Sequence, residues 1–174
     1  MAYLTWSEFC KESQEFLEMS KKLNDTWSWE EKNSNEGQSY LKYKQKISDP
    51  LSQDLIQLEY HIVYSISYQV PIMYFQAHYS DGKMLTLDNV WQLFQFQQKD
   101  SQYSREDMLS ILTQMEHPIL FKPYMCLHPC RTAEVLEQTP TSKNRILTFI
   151  SVMGPYLKLD LDNTYGLMCE EGKS

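Results

Sequence analysis

The sequence predicts an α+β fold, an antiparallel β-meander flanked by helices. Apolar residues recur every three or four positions near the N-terminus, alternate strictly in the middle of the chain, and return to helical spacing in the second half. With 174 residues, 42% of them hydrophobic, the chain can bury one substantial core. We therefore expect a single domain over residues 1–174.

The first helix is predicted from Tyr3 to Leu23. Thr5 and Glu8 have the spacing of a capping box, in which each side chain bonds to the other residue's backbone N–H. The apolar residues that follow at helical spacing are Trp6, Phe9, Cys10, Phe16 and Leu17.

Two strands are predicted next, a short one at Trp27–Glu30 and a longer one at Tyr40–Ile47. In the longer segment apolar and polar residues alternate, as expected of a strand with one exposed face. The exposed face carries Lys42, Lys44 and Lys46.

The strongest alternation lies between Ile56 and Val70, where eight successive even-numbered positions are apolar or Tyr. Only a strand has this period, so one long strand is predicted there. Pro71 separates it from a further strand at Ile72–Tyr79. Short connections between neighbouring strands indicate an antiparallel meander.

Helical spacing dominates the rest of the chain. Thr86 is predicted to cap one helix, and Ser104 begins a second that runs to Met115 before His117-Pro118 stops it. The segment Ile119–Leu127 is predicted to be extended, and a last helix spans Ser142–Met153.

Composition excludes several classes of function. A net charge of −7 with scattered Lys and Arg argues against a nucleic-acid partner. No apolar run reaches the length of a transmembrane segment, and the N-terminus lacks the pattern of a secretory signal. Four cysteines are too few for a disulfide scaffold, so we expect free thiols and a cytoplasmic protein.

Cys130 is the candidate nucleophile. It follows His128 and Pro129, and Pro129 fixes φ and offers no N–H to a sheet, so an extended segment is expected to present the thiol outward. A thiol that must attack a thioester on another protein needs this exposure. The tripeptide alone is also compatible with an ordinary loop.

Several blocks resemble one family. They are Tyr60–Pro71, then Asp81-Gly82 and Leu85-Thr86-Leu87, then Glu116–Leu120, Leu127–Cys130 and Ser151–Pro155. In order and spacing, from about Leu58 to Pro155, they resemble the autophagy-related protein ten family. The resemblance implies a ubiquitin-conjugating-enzyme-like fold.

The resemblance also implies an activity and its partners. A member would receive the ubiquitin-like autophagy protein twelve from the activating enzyme, autophagy protein seven, and hold it as a thioester. It would then pass the C-terminal glycine to a lysine of the acceptor, autophagy protein five. Cys130 matches the thioester cysteine of the family, and no cofactor is expected.

The oxyanion donor stays open. Ordinary ubiquitin-conjugating enzymes use the Asn of a His-Pro-Asn motif, but here the upstream motif is His117-Pro118-Ile119. The candidates are backbone N–H groups and the side chains of Thr113, Gln114, His117 and His128. For His128, an orienting or packing role is the stronger expectation over that of a general base.

A zinc site is a weaker alternative. Cys126, His128 and Cys130 would share one face of an extended segment, but a tetrahedral site also needs ligands from elsewhere. Only His117 or Cys169 could supply them, so no metal is expected.

Partner contacts are predicted on the sheet. Tyr64 and Tyr68 either pack in the core or bind a partner, and Lys44 and Lys46 either form a solvated face or meet an acidic partner. Two other functions compete with conjugation. One is a non-catalytic binding module of the same fold, and the other, a cysteine hydrolase, lacks a visible third member of a triad.

Overall fold

The computed structural model describes residues 3–95 and 112–171. Within them, helices pack on one face of a six-stranded antiparallel sheet in the order β1-β2-β3-β4-β6-β5, which confirms the predicted fold class. The elements are α1 (Trp6–Lys22), β1 (Ser28–Glu31), β2 (Ser39–Ser48), β3 (Leu55–Ser65), β4 (Val70–Tyr79), α2 (Leu87–Gln95), β5 (Leu112–Glu116), β6 (Pro123–Leu127), α3 (Pro129–Gln138), α4 (Arg145–Met153), a 3-10 turn (Gly154–Leu157) and α5 (Thr164–Glu171).

The capping signals predicted at Thr5 and Thr86 are confirmed, whereas the cap predicted at Ser104 lies outside the described residues. The Thr5 hydroxyl accepts the Glu8 N–H, and the Glu8 carboxylate accepts the Thr5 N–H at 2.8 Å, so both residues satisfy backbone groups at the start of α1. Thr86 accepts the Asn89 N–H at the start of α2 in the same way. Helix α4 begins later than predicted, because its N-cap is Asn144.

The strand predicted over Ile56–Val70 is wrong beyond Ser65. β3 ends at Ser65, whose carbonyl accepts the Gln69 N–H at 2.8 Å, and Gln69 has a left-handed φ of 54°. A hairpin turn therefore joins β3 to β4, and Pro71 lies inside β4 opposite Tyr64. Alternation in the sequence continues through the turn residues, so the period alone cannot locate the hairpin.

The helix predicted from Ser104 to Met115 is also wrong at its end. Residues 104–111 lie outside the described residues, but residues 112–115 belong to β5, in which Leu112 pairs with Leu127 and Met115 with Tyr124. Pairing with β6, a contact distant in sequence, overrides the local helical spacing.

A turn replaces the first part of the extended segment predicted at Ile119–Leu127. His117 directly follows β5, its carbonyl accepts the Phe121 N–H at 2.9 Å, and Phe121 has a left-handed φ of 55°. The strand starts only at Pro123. The turn brings Ile119 back over the sheet.

The sheet has two different faces. The inner face packs against the helices and holds fully buried side chains such as Leu41, Tyr60 and Phe75. The opposite face, here called the outer face, has a smaller buried cluster covered by the turn after β5. This outer cluster consists of Tyr40, Val63, Ile72, Tyr74, Ile119, Tyr124 and Cys126.

The face assignment predicted for β2 is confirmed. Leu41 is buried on the inner face, whereas Lys44 and Lys46 are exposed on the outer face. Across the described ranges, no helix combines the length and apolarity needed to cross a membrane.

Candidate active site

Cys130 lies in the first turn of a helix, so the predicted extended segment is wrong beyond His128. β6 ends at Leu127, His128 is the N-cap of α3 with φ −60° and ψ 135°, and Pro129 is the first helical residue. Proline suits that position because its missing N–H would have no partner within the helix. The predicted exposure of the Cys130 thiol is observed.

The His128 side chain touches the Cys130 sulfur. Its Nδ1 lies 2.8 Å from Sγ and accepts the Cys130 backbone N–H at 3.2 Å. The imidazole therefore caps α3 and also contacts the thiol. Sequence reasoning expected an orienting role for His128 and missed this contact, because it did not predict α3.

The thiol lies at the N-terminal end of a helix. The first turn of α3 carries no acidic side chain, and the start of a helix favours nearby negative charge. Arg131 follows Cys130 directly and pairs with Glu134 at 2.8 Å. A thiolate formed at Cys130 would meet the helix N-terminus rather than a carboxylate.

An open cleft of about 400 Å³ on the outer face reaches the active-site segment. We call it the outer cleft. The hairpin between β3 and β4 forms one end, and Pro129, next to Cys130, lies at its edge. The hairpin contributes Ile66 and Tyr68, and the other walls include Ile72, Tyr74 and Met115. Sequence reasoning did not identify the cleft, because its walls come from four separate parts of the chain.

His117 has no ring nitrogen left for an oxyanion. It is buried, its Nδ1 accepts the N–H groups of Ile119 and Leu120 at 3.2 Å, and its Nε2 lies 3.0 Å from Nδ1 of His61. Burial, with a smaller effect of His61, lowers the pKa of His117 to about 3. We therefore assign His117 to the support of the turn.

Thr113 and Gln114 lie on β5 and point to opposite faces of the sheet. Thr113 pairs with Cys126 and shares the outer face with it, whereas Gln114 pairs with Met125 and is exposed. Only Thr113 shares the face of the outer cleft. A part for either residue in oxyanion binding stays a prediction.

The other cysteines are poorer nucleophiles. Cys126 is fully buried in the outer cluster, and burial raises the pKa of its thiol to about 12. Cys10 is half-buried, and burial followed by the charge of Glu31 raises its pKa. Cys169 is half-buried on α5. Exposure thus singles out Cys130 among the four.

The structure does not bring together the zinc ligands that the sequence suggested. Cys126 and Cys130 no longer alternate along one strand, because α3 begins between them. In the described part of the chain, no three His, Cys, Asp or Glu side chains are grouped as metal ligands would be.

The candidate partner contacts separate into buried and exposed residues. Tyr64 is buried in the core, and its hydroxyl donates to the Leu4 carbonyl at 2.7 Å, which favours the packing role. Tyr68 lies in the hairpin turn with 52% of its surface exposed. Lys44 and Lys46 are exposed on β2, with the Lys44 Nζ 3.3 Å from Glu59.

Comparisons with known proteins agree on one family. The family model described as "Autophagocytosis associated protein, active-site domain" matches residues 8–164, which include Cys130. Relatives named "Ubiquitin-like-conjugating enzyme ATG10" come from several organisms. The human protein is 30% identical over 205 aligned positions, which cover 92% of this chain and 90% of that protein. The Arabidopsis thaliana protein is 33% identical over 58% of this chain and 48% of its own length, and the Dictyostelium discoideum protein is 28% identical over 62% and 53%.

Proposed function

This chain belongs to the autophagocytosis associated protein, active-site domain family, and from that membership we propose that it is a ubiquitin-like-protein conjugating enzyme with Cys130 as nucleophile. The family predicted from the sequence is confirmed. The observation that carries the site assignment is the exposed Cys130 thiol at the start of α3, with the His128 imidazole 2.8 Å from its sulfur.

The proposed reaction has two acyl-transfer steps. In the first, the Cys130 thiolate attacks the thioester that joins a ubiquitin-like protein to its activating enzyme. The C–S bond to Cys130 forms, and the sulfur of the activating enzyme leaves. In the second, a lysine amine of the acceptor attacks the new thioester, the Cys130 thiolate leaves, and an isopeptide bond forms. The enzyme supplies a nucleophile and brings the reactants together.

The partners in this proposal are those that the sequence resemblance implies. The ubiquitin-like protein is autophagy protein twelve, the donor is the activating enzyme autophagy protein seven, and the acceptor is a lysine of autophagy protein five. We also propose a cytoplasmic location, because Cys130 must stay reduced to act as a nucleophile. The name shared by the relatives supports conjugation in autophagy.

The test is a charging assay with the activating enzyme, ATP and autophagy protein twelve. Wild type is expected to give an adduct that a thiol reductant removes, and mass spectrometry is expected to locate it on Cys130. Cys130→Ser is expected to give an adduct that resists the reductant, because an alkoxide is a poorer leaving group than a thiolate. Transfer to autophagy protein five should stop in this variant.

The other cysteines are the matched controls. Cys10→Ser, Cys126→Ala and Cys169→Ser are expected to be charged as wild type is, since their thiols are buried or half-buried. A folded variant among these three that cannot be charged would assign the nucleophile elsewhere. If no cysteine of the wild-type chain is charged, the chain is a non-catalytic binding module of this fold.

A further inference from the structure

We propose that His128 is the general base that takes the thiol proton of Cys130, a role that rests on Cys130 being the nucleophile. The imidazole touches the reacting sulfur, so it is a catalytic residue in the strict sense. Capping of α3 is its second role, and the two roles use the same nitrogen.

The contacts determine which His128 nitrogen carries the proton. The Cys130 backbone N–H donates to Nδ1, so Nδ1 must hold a lone pair, and the proton of the neutral ring lies on Nε2. Sγ lies 2.8 Å from this same nitrogen. A thiol S–H directed at Nδ1 shares this acceptor with the backbone N–H, and this contact is the geometry a general base needs before proton transfer.

The local fold maintains this geometry. His128 is the N-cap of α3, and Pro129 fixes φ of the residue between the imidazole and the thiol. The ring is thus positioned by a short segment in which few torsions are free. A base on another element would have to be positioned by tertiary contacts, whereas this one is built into the first turn of the helix.

Among the described residues of the outer cleft and of the first two turns of α3, no competing base is found. The described residues that line the outer cleft, which ends at Pro129, include no Asp, Glu, His, Lys or Arg, and their titratable groups are tyrosine hydroxyls. In the first two turns of α3 the charged side chains are Arg131 and Glu134, and Glu134 is paired with Arg131 at 2.8 Å. The His128 imidazole is the basic group in contact with the thiol.

In the charging step, the proton of the Cys130 thiol passes through His128 to the departing sulfur. The S–H proton moves from Cys130 to Nδ1 of His128 as the sulfur attacks the carbonyl carbon of the incoming thioester. The tetrahedral intermediate then collapses, the bond to the sulfur of the activating enzyme breaks, and the imidazolium returns the proton to that departing thiolate. No oxidant, reductant or metal is required.

His128→Asn separates the two roles. Asparagine is among the best N-cap residues, so it is expected to preserve the start of α3, but its amide cannot accept a proton at neutral pH. The readout is the rate at which iodoacetamide alkylates Cys130 in the free chain, measured from about pH 5 to pH 10 and located by mass spectrometry. This measurement needs no activating enzyme. It therefore tests the role of His128 separately from the proposed conjugation.

We expect His128→Asn to slow alkylation about tenfold at neutral pH, because the asparagine amide cannot take the thiol proton. The thermal midpoint should stay close to that of wild type. Charging by the activating enzyme should slow by a similar factor. His78→Asn, a change of the same type on β4, is the control and is expected to leave both rates unchanged.

Two outcomes would overturn the proposal. An alkylation profile of folded His128→Asn that matches wild type would make His128 a helix cap only. Should the variant fail to fold, nitrogen-15 NMR of the wild-type His128 ring tests the proposal instead. The proposal requires a proton on Nε2 and none on Nδ1 of the neutral ring. A neutral ring with its proton on Nδ1 would reject the base assignment directly.

Discussion

Nδ1 of His61 lies 3.0 Å from Nε2 of His117, inside the covered part of the outer face. His117 accepts two backbone N–H groups at Nδ1, so its Nε2–H must donate to His61. His61 then donates its own Nε2–H to Glu59 at 2.7 Å. The result is a directed chain of hydrogen bonds from the turn after β5 to an ionised carboxylate on β3.

These hydrogen bonds predict that the free energy of unfolding falls in acid. Burial lowers the folded pKa of His117 to about 3 from its ordinary value of 6.5, so between these values the unfolded chain binds the additional proton. The hydrogen bond from His61, the largest cause, lowers the pKa of Glu59 to about 2, so its contribution is also lost as pH falls below 4.5. Chemical denaturation at pH 7 and pH 5 should give an unfolding free energy about 1–2 kcal/mol lower at pH 5.

His117→Asn provides the control for this prediction. Its amide oxygen can still accept a backbone N–H of the turn, but the group that titrates is gone and His61 loses its donor. We expect a loss of about 1–3 kcal/mol at pH 7 and a smaller change between pH 7 and pH 5. An unchanged pH slope would mean that His117 does not control the acid sensitivity.

Gly154 is predicted to be intolerant of a side chain. A Cβ there would clash with the backbone oxygen of Leu159, whereas a Cβ at Gly166 on α5 would meet nothing within 4 Å. Gly154→Ala should lower the unfolding free energy by about 1–3 kcal/mol, because backbone must move. Gly166→Ala should be neutral or stabilising by up to about 1 kcal/mol. Thermal unfolding of the two variants checks both, and equal midpoints would contradict the prediction.

The N-cap side chains of α1 and α4 are predicted to contribute unequally to the free energy of unfolding. Asn144 is buried, accepts the Leu147 N–H at 2.9 Å and donates to the Glu12 carbonyl at 2.8 Å, so it joins α4 to α1. The Thr5 cap is exposed. Asn144→Ala should cost about 2 kcal/mol or more, and Thr5→Ala about 1 kcal/mol, because only the first leaves a buried backbone donor, the Leu147 N–H, without its partner. Denaturant titration measures both values, and a larger loss for Thr5→Ala would be inconsistent with this reasoning.

Acceptor choice is predicted to depend on the exposed lysines of β2. Lys44→Glu with Lys46→Glu should slow transfer to autophagy protein five more than charging at Cys130, because the two lysines lie on the open part of the outer face. Single-turnover discharge to the acceptor is compared with discharge to free lysine. Lys21→Glu with Lys22→Glu, the same charge change on α1, is the matched control. Equal effects on both discharge reactions would remove β2 from the docking surface.

The sequence was sufficient to predict the features that depend on residues close together along the chain. The Thr5–Glu8 box, the Thr86 cap and the face assignment of β2 all depend on residues within a few positions of one another. The family also followed from sequence, because several blocks matched in order and spacing. Cys130 could therefore be selected as the nucleophile before any geometry was known.

Tertiary structure decided what depends on distant partners. Leu112–Glu116 has spacing that suits a helix, yet it forms β5 because β6 offers it a complete row of hydrogen bonds. The hairpin after Ser65 was invisible to alternation, because the period continues through the turn. Removal of His117 from the oxyanion candidates required His61, which lies 56 positions earlier in the chain.

The active site combines both kinds of information. Sequence alone determined that a Cys follows His-Pro, and the Pro was a missed signal for a helix start. Only the folded chain showed that α3 begins at Pro129, which brings Nδ1 of His128 within 2.8 Å of the sulfur. The physical reason is that the start of α3 depends on where β6 ends, and pairing with β4 and β5 across the sheet determines that end.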